Sequence, residues 1–599
     1  MNHSSRRGAL VLLVGVSILC LAVAIALLTT DRTSRAATNA TADVTVQNQP
    51  AAQGRPITPA GTLLLDTTTR QPAIGSLPVD FVRSPDTLGP DGGGRYLIAV
   101  NSGFGVQFNA VTNRAQQSLA VIDLNARPAP TVIQNVYFPT PQSVNVGAVF
   151  DPLLKRDNTF TLYVSGGFEN KIWVFRFLPG ATSPISPPSP GPNTTVEAPF
   201  IDVSGFSTAA PSPNYNDNRA PIYPTGLAIS PDGDSLYVAN NLGDSLGIIN
   251  NLRGARTLTR IDLRRDNPQQ FIYPYGVAAL PTADRKATAK LYVSCWNDAS
   301  IAVIDPRAPA VNIKRIAVER HPTAMLFNRL RTRLYVVNSN ADSVSVIDTA
   351  RDEEVERVSV RLAENALIGT SPEGLALSAD ESTLYVANAH ANAIASVRLS
   401  ESSRGIDVVP LTEPSGGAHL NRQTPKGTAA REQTRSVARG FIPTGQYPSA
   451  VAVVGEKLFI GNGKGTGFAN SSMVVDNSGR NPNVANDRFP AAGGRRGGQY
   501  SVSLVAGNIS VVTEPDEVTL SRYTQQVMRN DGMIGSPKTA LFKGRSPIKH
   551  VIYIIKENRT YDQVYGDLEN SGDGQRADGD PSLAIFGAGD AARLSGGIA

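Results

Sequence analysis

Near the end of the chain an unbroken apolar run, His550-Val551-Ile552-Tyr553-Ile554-Ile555, is followed at once by Lys556-Glu557-Asn558-Arg559-Thr560-Tyr561-Asp562. Such a run reads as a strand buried on both faces, as in a parallel sheet. Ligands of open α/β sheets collect beyond the carboxyl ends of the strands. The oxygens of Glu557 and Asn558 therefore stand where hard ligands for a divalent metal belong. Taken alone, the residues also fit a helix entry, with Asn558 as N-cap and Asp562 in the first turns. A second acidic stretch sets Asp567, Glu569, Ser571, Gly572 and Asp578 at positions one, three, five, six and twelve of an EF-hand-like loop. Ser at five and Asp at twelve depart from the calcium pattern and favour a solvated loop.

The stretch Lys549 to Asp562 resembles the opening motif of the bacterial phosphoesterase family that includes phospholipases C and acid phosphatases and has the alkaline-phosphatase-like fold. The resemblance implies Glu557 and Asn558 as metal ligands, a divalent metal ion as cofactor and a phosphate ester as substrate. In such a centre the metal polarises the phosphoryl oxygens and a metal-activated hydroxyl attacks phosphorus. No catalytic nucleophile is assigned. Thr560 is similar to the family's hydroxyl residue at that place, but the family's nucleophile comes from further along its chain. The likeness continues to Gly579-Asp580-Pro581-Ser582-Leu583-Ala584-Ile585-Phe586-Gly587 and covers only the start of the domain. Residues 547–599 are too few for a sheet with several crossovers, and no His follows Asn558 to complete a ligand set. The expectation is an incomplete α/β segment, with metal binding and hydrolysis dependent on a complete catalytic domain.

A repeat organises the chain before this segment. Leu-Tyr-Val-Ala-Asn or a close variant returns at Tyr237, Tyr292, Tyr335 and Tyr385. Each copy opens on Pro, as in Pro224-Thr225-Gly226, Pro274-Tyr275-Gly276, Pro322-Thr323-Ala324 and Pro372-Glu373-Gly374, and closes on an apolar run such as Ser343-Val344-Ser345-Val346-Ile347-Asp348. Short runs of Val, Ile, Leu and Tyr between Asp, Asn, Gly and Pro read as strands and tight turns. A period of roughly 40–55 residues with several strands is that of a β-propeller blade. Weaker copies around Tyr96, Tyr163 and Phe459 bring the count to seven, the last interrupted by a long insertion. The repeated Tyr and Asn read as structural, the Asn as a turn residue. These motifs resemble YVTN-type propellers over about residues 60–515, and an early strand near Thr62 to Asp66 is expected to pair with the last blade.

The fold class is thus mainly β: a seven-bladed β-propeller at 60–515, a linker helix within 516–546 around Val518 to Arg529, and the incomplete alkaline-phosphatase-like segment at 547–599. The last blade, the linker and the C-terminal segment together are similar to bacterial proteins that fuse such a propeller to a phosphoesterase.

Residues 1–42 differ from the rest. Arg6 and Arg7 precede an uncharged run from Gly8 to Thr30, and small residues come after it, so export is expected, with the run either a cleaved signal or a membrane anchor. Of the two cysteines, Cys20 lies in that run and Cys295 on an expected strand, which leaves no internal disulfide in the mature domain. The net charge of +5 falls partly in loops, with Arg422, Lys426, Arg431, Arg435 and Arg439 in one and Arg480, Arg488, Arg495 and Arg496 in another. No recognition helix, stacking set or zinc pattern accompanies them, and no nucleic-acid partner is expected. His321, His390 and His419 are too scattered for ligand spacing, although the first two fall in blade loops.

These features leave three readings of function. The chain is an exported propeller–phosphoesterase fusion, periplasmic, secreted or anchored to the cytoplasmic membrane; or it is a non-catalytic extracytoplasmic propeller that binds an unknown ligand or protein on its face; or it is a surface or envelope interaction protein held by the uncleaved apolar anchor.

Overall fold

Blades arise from pairing hydrogen bonds between short strands that cannot bury themselves alone. The computed structural model describes residues 50–51, 55–56, 58–59, 62–65, 77–103, 117–138, 142–187, 199–207, 222–265, 270–308, 313–405, 435–465, 507–534, 548–552 and, with gaps, 564–577. Residues 1–42, where an export signal or membrane anchor is expected, and Glu557 and Asn558 lie outside them. Among the described residues Pro50–Ala51 pairs with Arg55–Pro56, and seven larger antiparallel sheets, the blades, follow one another along the chain. Blade 1 consists of Pro78–Arg83, Tyr96–Asn101, Ser118–Asp123 and Thr131–Tyr137, counted from the central channel outwards. Blades 3 to 5 repeat this plan, beginning with Pro224–Ile229, Pro274–Pro281 and Pro322–Phe327. In blade 2 two short strands, Ile185–Ser186 and Phe200–Asp202, share the outer edge of Lys171–Phe177. Blade 6 runs Pro372–Leu377, Thr383–Asn388, Ala393–Arg398 and Val437–Pro443.

Blade 7 is built from both ends of this region. Pro448–Val454, Lys457–Asn462 and Asn508–Thr513 take Leu63–Leu65 as their fourth strand, Leu64 opposite Ser510, as expected for the early strand. Leu65, Phe459, Ile509 and Val511 then pack on Leu97, Ala99, Ala120 and Ile122 of blade 1. The ring is closed by this contact.

Burial explains the sequence pattern. Middle strands are covered by a blade on each side, so Arg333–Asn338 is buried at every residue and reads as a continuous run. Outer strands face water, and Glu353–Ser359 alternates. The repeated Tyr is core: Tyr96, Tyr292 and Tyr335 are fully buried, each such side chain stabilising by about 1.5–3 kcal/mol. The Tyr292 hydroxyl donates to Asp352 at 2.6 Å and that of Tyr335 to the Ser403 carbonyl at 2.8 Å.

Asn240, Asn338, Asn388 and Asn462 depart from the turn expectation. They end the second strands, fully buried, and three of them donate to a Ser Oγ of the third strand at 2.8–3.1 Å. The left-handed turn residue comes later, at Asn170, Asp244, Asp342 and Asn392.

Two helices matter. Helix α1, Glu401–Arg404, is capped by Ser400. Helix α2, Glu517–Asn530, starts at the Asp516 cap, whose side chain accepts from the Thr519 amide at 2.7 Å. It corresponds to the expected linker helix but lies on the propeller itself. Leu520 and Val527 are buried, and the Phe441 amide donates to Thr524 Oγ1 at 2.8 Å. Blade 6's outer edge is thereby covered.

The strand expected at the head of the α/β segment does not form among its described residues. Ile548 to Ile552 are not paired into a sheet, and Val551 and Ile552 are 81% and 88% exposed. A doubly buried strand needs neighbours on both sides, and no described residue supplies them. Among the described residues no helix is long and apolar enough to cross a membrane.

A chain lacking residues 1–66 loses the closing strand and presents Asn508–Thr513 as a bare edge. It is expected to melt at lower temperature and to self-associate; thermal unfolding with light scattering checks this, and an unchanged monomeric transition refutes the closing role.

Candidate functional site at the channel mouth

Every blade after the second begins its innermost strand with Pro, and the residue before that Pro is held in the left-handed region. The φ angles are +54° at Tyr223, +50° at Tyr273, +58° at His321, +49° at Ser371 and +59° at Tyr447; Leu77 of blade 1 joins them at +54°. A non-glycine residue there costs about 1–3 kcal/mol, and the proline after it restricts it further. Something must hold each one, and the structure shows what does.

The turn between second and third strands of one blade reaches the next. Asn170 Oδ1 accepts from the Ile222 and Tyr223 amides at 2.8 and 3.1 Å, and Asp244 Oδ1 from Ile272 and Tyr273 at the same distances. Asp342 accepts from Gly369, Thr370 and Ser371 at 2.7–3.1 Å, and Asn392 from Tyr447 at 2.9 Å. Within each blade the same residues are tied again: the Trp296 amide donates to the Tyr273 carbonyl, Ser339 to His321 and Gly463 to Tyr447. Hydrogen bonds to the Asp244 and Asp342 carboxylates contribute about 1.5–3 kcal/mol each and those to the neutral Asn170 and Asn392 amides about 0.5–1.5 kcal/mol each, which offsets much of the strain. Blade 4 departs from the pattern, since Ala299 occupies the clamp position with φ +46° and no side-chain oxygen.

These residues ring one end of the channel. On one side Phe271 stacks on Tyr273 with centroids 5.7 Å apart, Tyr273 meets Trp296 edge-on at 6.2 Å, and Trp296 stacks on His321 at 3.6 Å. Opposite, His390 lies 5.6 Å from Tyr447, whose ring also carries Lys464 Nζ at 5.0 Å. Burial pushes the Lys464 ammonium below its usual range and lowers both imidazoles. Both ring nitrogens of His390 are buried without a hydrogen-bond partner. Since His321 sits on Trp296 and His390 on Tyr447, the two histidines do not converge on a shared ligand.

Below the rim the innermost strands come very close. A Cβ on Gly226 would lie 2.6 Å from the Tyr275 carbonyl, which is why the repeat reads Pro-x-Gly here. The residues between that Pro and Gly include Tyr275 and Glu373, and Asp80 lies two after Pro78. Asp80, Glu373, Tyr223, Tyr275 and Tyr447 are enclosed by protein yet keep some accessible surface, because they face the channel. Burial raises both carboxyls to about 7. It also raises the Tyr275 phenol, with a further push from the charges of Glu373 and Asp80, and the Tyr447 phenol, helped by Glu373 and Tyr275. The two tyrosines thus feel the acids' charge, whereas the acids themselves are raised by burial alone.

Two other concavities, of about 210 and 160 Å³, open on the far face around Arg333 and Asp348 and around Asp232 and Arg307. Neither has aromatic rings converging with unpaired acids. Among the described residues no three His, Cys, Asp or Glu side chains are grouped to hold a metal. Asp567, Glu569 and Gly572 are described, but Ser571 and Asp578 of the EF-hand-like stretch are not. The rim escaped the sequence reading because the residue before Pro varies from blade to blade; the Pro-x-Gly repeat itself was the available signal.

Comparison with known proteins finds likeness over part of the chain. The chain is 29% identical over 229 residues to the uncharacterized protein YncE of Salmonella typhimurium and 28% identical over 229 residues to that of Salmonella typhi. It is a seven-bladed β-propeller that is similar to YncE over the matched residues. The match takes in 38% of this chain, and the chain spans about half the length of these curated relatives, 51%. No family model matches. Among solved structures, a catalytically inactive variant of virginiamycin B lyase from Staphylococcus aureus aligns over 67% of this chain and 94% of its own, at 12% identity and TM-score 0.38. Hydrazine synthase of Kuenenia stuttgartiensis aligns over 64% and 92% at 16% identity and 0.38, and the periplasmic gluconolactonase of Pseudomonas aeruginosa over 54% and 82% at 15% and 0.37. Scores this low carry no inference about chemistry.

The channel acids dictate a pH dependence. Their ordinary values are 3.8 for Asp80 and 4.5 for Glu373, against about 7 in the fold, so folding favours the protonated forms. That contribution is complete below about pH 4 and is lost as pH rises through about 7. Denaturant midpoints are expected to fall between pH 5 and pH 8, and the Asp80→Asn/Glu373→Gln pair to flatten the fall; equal slopes in both proteins would sink the assignment.

Proposed function

We propose that the propeller is a ligand-binding module that receives a small molecule at the channel mouth. The observation that carries this reading is the rim, where strained pre-proline residues stand on six blades, four of them clamped by a side chain of the preceding blade, and aromatic rings gather at the mouth. Strain of this kind persists where surrounding structure over-determines it and gathers at ligand clamps. The channel acids add perturbed ionisation in a cleft, a second mark of a binding centre. On this reading the protein works outside the cytoplasm, the basic start and apolar run of the first 42 residues being the support for export.

The test uses the chain's own fluorophores. Only two tryptophans occur, Trp173 buried in blade 2 and Trp296 on the rim. A library of small sugars, amines and organic acids is expected to yield a compound that changes Trp296 emission saturably, with at least about tenfold weaker binding in Tyr447→Ala. Saturable binding untouched by Tyr447→Ala and mapped to the far-face cavities refutes the reading.

A second reading rests on the Lys549 to Asp562 motif. It holds that the chain belongs to a propeller–phosphoesterase fusion, in which Glu557 and Asn558 bind a divalent metal and phosphate esters are hydrolysed. Chelator-sensitive hydrolysis of p-nitrophenyl phosphate that disappears in Glu557→Gln is the expected result. Absence of metal-stimulated hydrolysis removes this reading and leaves the binding module.

A further inference from the structure

In blades 3 to 7 the residue two past the end of the second strand turns its amide back onto its own blade's entry loop. Leu242 donates to the Ile222 carbonyl at 3.1 Å, Asn297 to Ile272, His390 to Thr370 and Lys464 to Gln446 each at 3.0 Å, and Asn340 to Arg320 at 3.4 Å. One position therefore recurs at the same level of the mouth, carried by a different side chain on each blade. Leu242 is apolar, and Asn297 Nδ2 is spent on the Phe271 carbonyl at 2.8 Å. His390 and Lys464, on the neighbouring blades 6 and 7, are not spent. Both ring nitrogens of His390 are buried without a hydrogen-bond partner, the Gly369 backbone coming near without hydrogen-bonding geometry. Burial alone acts on the Lys464 ammonium, which has no ion pair or hydrogen-bond acceptor among the described residues.

The Tyr447 ring brings the two together. The His390 ring centre is 5.6 Å from that of Tyr447, and Lys464 Nζ is 5.0 Å from the same point. Tyr447 is itself held, its amide donating to Asn392 Oδ1 at 2.9 Å and its carbonyl accepting from the Gly463 amide at 2.7 Å, while the Gln446 amide donates to the Gly465 carbonyl at 2.6 Å. An ammonium has three donors and no acceptor, and an imidazole always keeps at least one N–H. Donors gathered on one clamped ring, with no acceptor in reach, call for an anion. The nearby acids do not supply it. Asp342, whose charge reaches His390, is spent on three backbone amides, and Glu373, whose charge reaches Tyr447, is held protonated up to about 7 by burial.

Resting on the reading of the channel mouth as a binding site, we infer that the junction of blades 6 and 7 takes the oxyanion of a small organic acid, a carboxylate or a phosphate monoester, bound between Lys464 Nζ and the His390 imidazole beside the Tyr447 ring. Lys464 supplies a full charge and His390 a directed N–H, and both form charge-assisted hydrogen bonds to the oxyanion. The anion in turn offsets the cost of holding a desolvated ammonium without a counter-ion. The seat is confined to this junction. Blades 1 and 2 carry Gly103 and Gly167 two residues past the second strand, and blades 3 to 5 carry no cation there.

Benzoate and phenyl phosphate are the probes, with benzyl alcohol as the uncharged counterpart and benzylammonium as the opposite charge, titrated into the full chain by calorimetry at about pH 6, below the range in which Glu373 ionises. At least one of the two anions is expected to bind saturably, and the tighter of them names the group, carboxylate or phosphate ester. Lys464→Gln is expected to weaken that binding at least about tenfold and His390→Phe at least about threefold, while Lys464→Arg keeps it within about threefold; unchanged circular dichroism shows that the variants are folded. Benzyl alcohol or benzylammonium binding as tightly as the anions overturns the inference, and so does anion binding that Lys464→Gln leaves unmoved. If neither anion binds while neutral or cationic library compounds bind in a Tyr447-dependent way, the inference falls and the binding module stands; if nothing binds at the mouth, both fall.

Discussion

Ring closure is the constraint on which everything else depends. A blade of four short strands leaves apolar surface on both faces, and its only adequate cover is the next blade. Six interfaces form between sequence neighbours, but the seventh joins the two ends of the propeller. Leu63–Leu65 completes blade 7 from the N-terminal side, and Leu65 and Phe459 then meet Leu97 and Ile122 across the seam. Without that strand the last blade has an open outer edge, and the apolar contact of Leu65 with blade 1 is lost.

Closure also forces the innermost strands together. At Gly226 there is no room for a Cβ, so the wall of the channel is backbone in places and side chains enter it only at chosen positions. Tyr275, Glu373 and Asp80 occupy such positions. The rim above them is fixed by Asn170, Asp244, Asp342 and Asn392, each of which ties the next blade's entry loop. The same contacts that hold blade to blade therefore aim the residues at the mouth, and stability and site geometry share one set of hydrogen bonds.

The blades were legible in the sequence because Leu-Tyr-Val-Ala-Asn is the strand buried on both faces, and double burial leaves little choice of residue. The site was not legible for the opposite reason. Its members, Leu77, Tyr223, Tyr273, His321, Ser371 and Tyr447, share a backbone conformation and a position before Pro but no side-chain chemistry, so they form no motif. The clamp that holds them joins positions far apart, such as Asn170 and Ile222, 52 residues apart. The buried Asn residues misled for a related reason: Asn is common in turns, yet here it ends a strand and bonds to the next, and the positive φ falls a few residues later.

One contact near the seam bears on mechanics. Gln526 of α2 donates to the Thr58 carbonyl at 3.3 Å, just before the closing strand, while the same helix lies along the outer strand of blade 6. The chain therefore enters and leaves the ring at neighbouring points. Tension on residues that precede Thr58 is delivered to the pairing of Leu63–Leu65 with Asn508–Thr513 and to the Gln526 hydrogen bond. Pulling from that side would peel this outer strand from Asn508–Thr513 like a clasp, while the three inner strands of blade 7 still lie against blade 1.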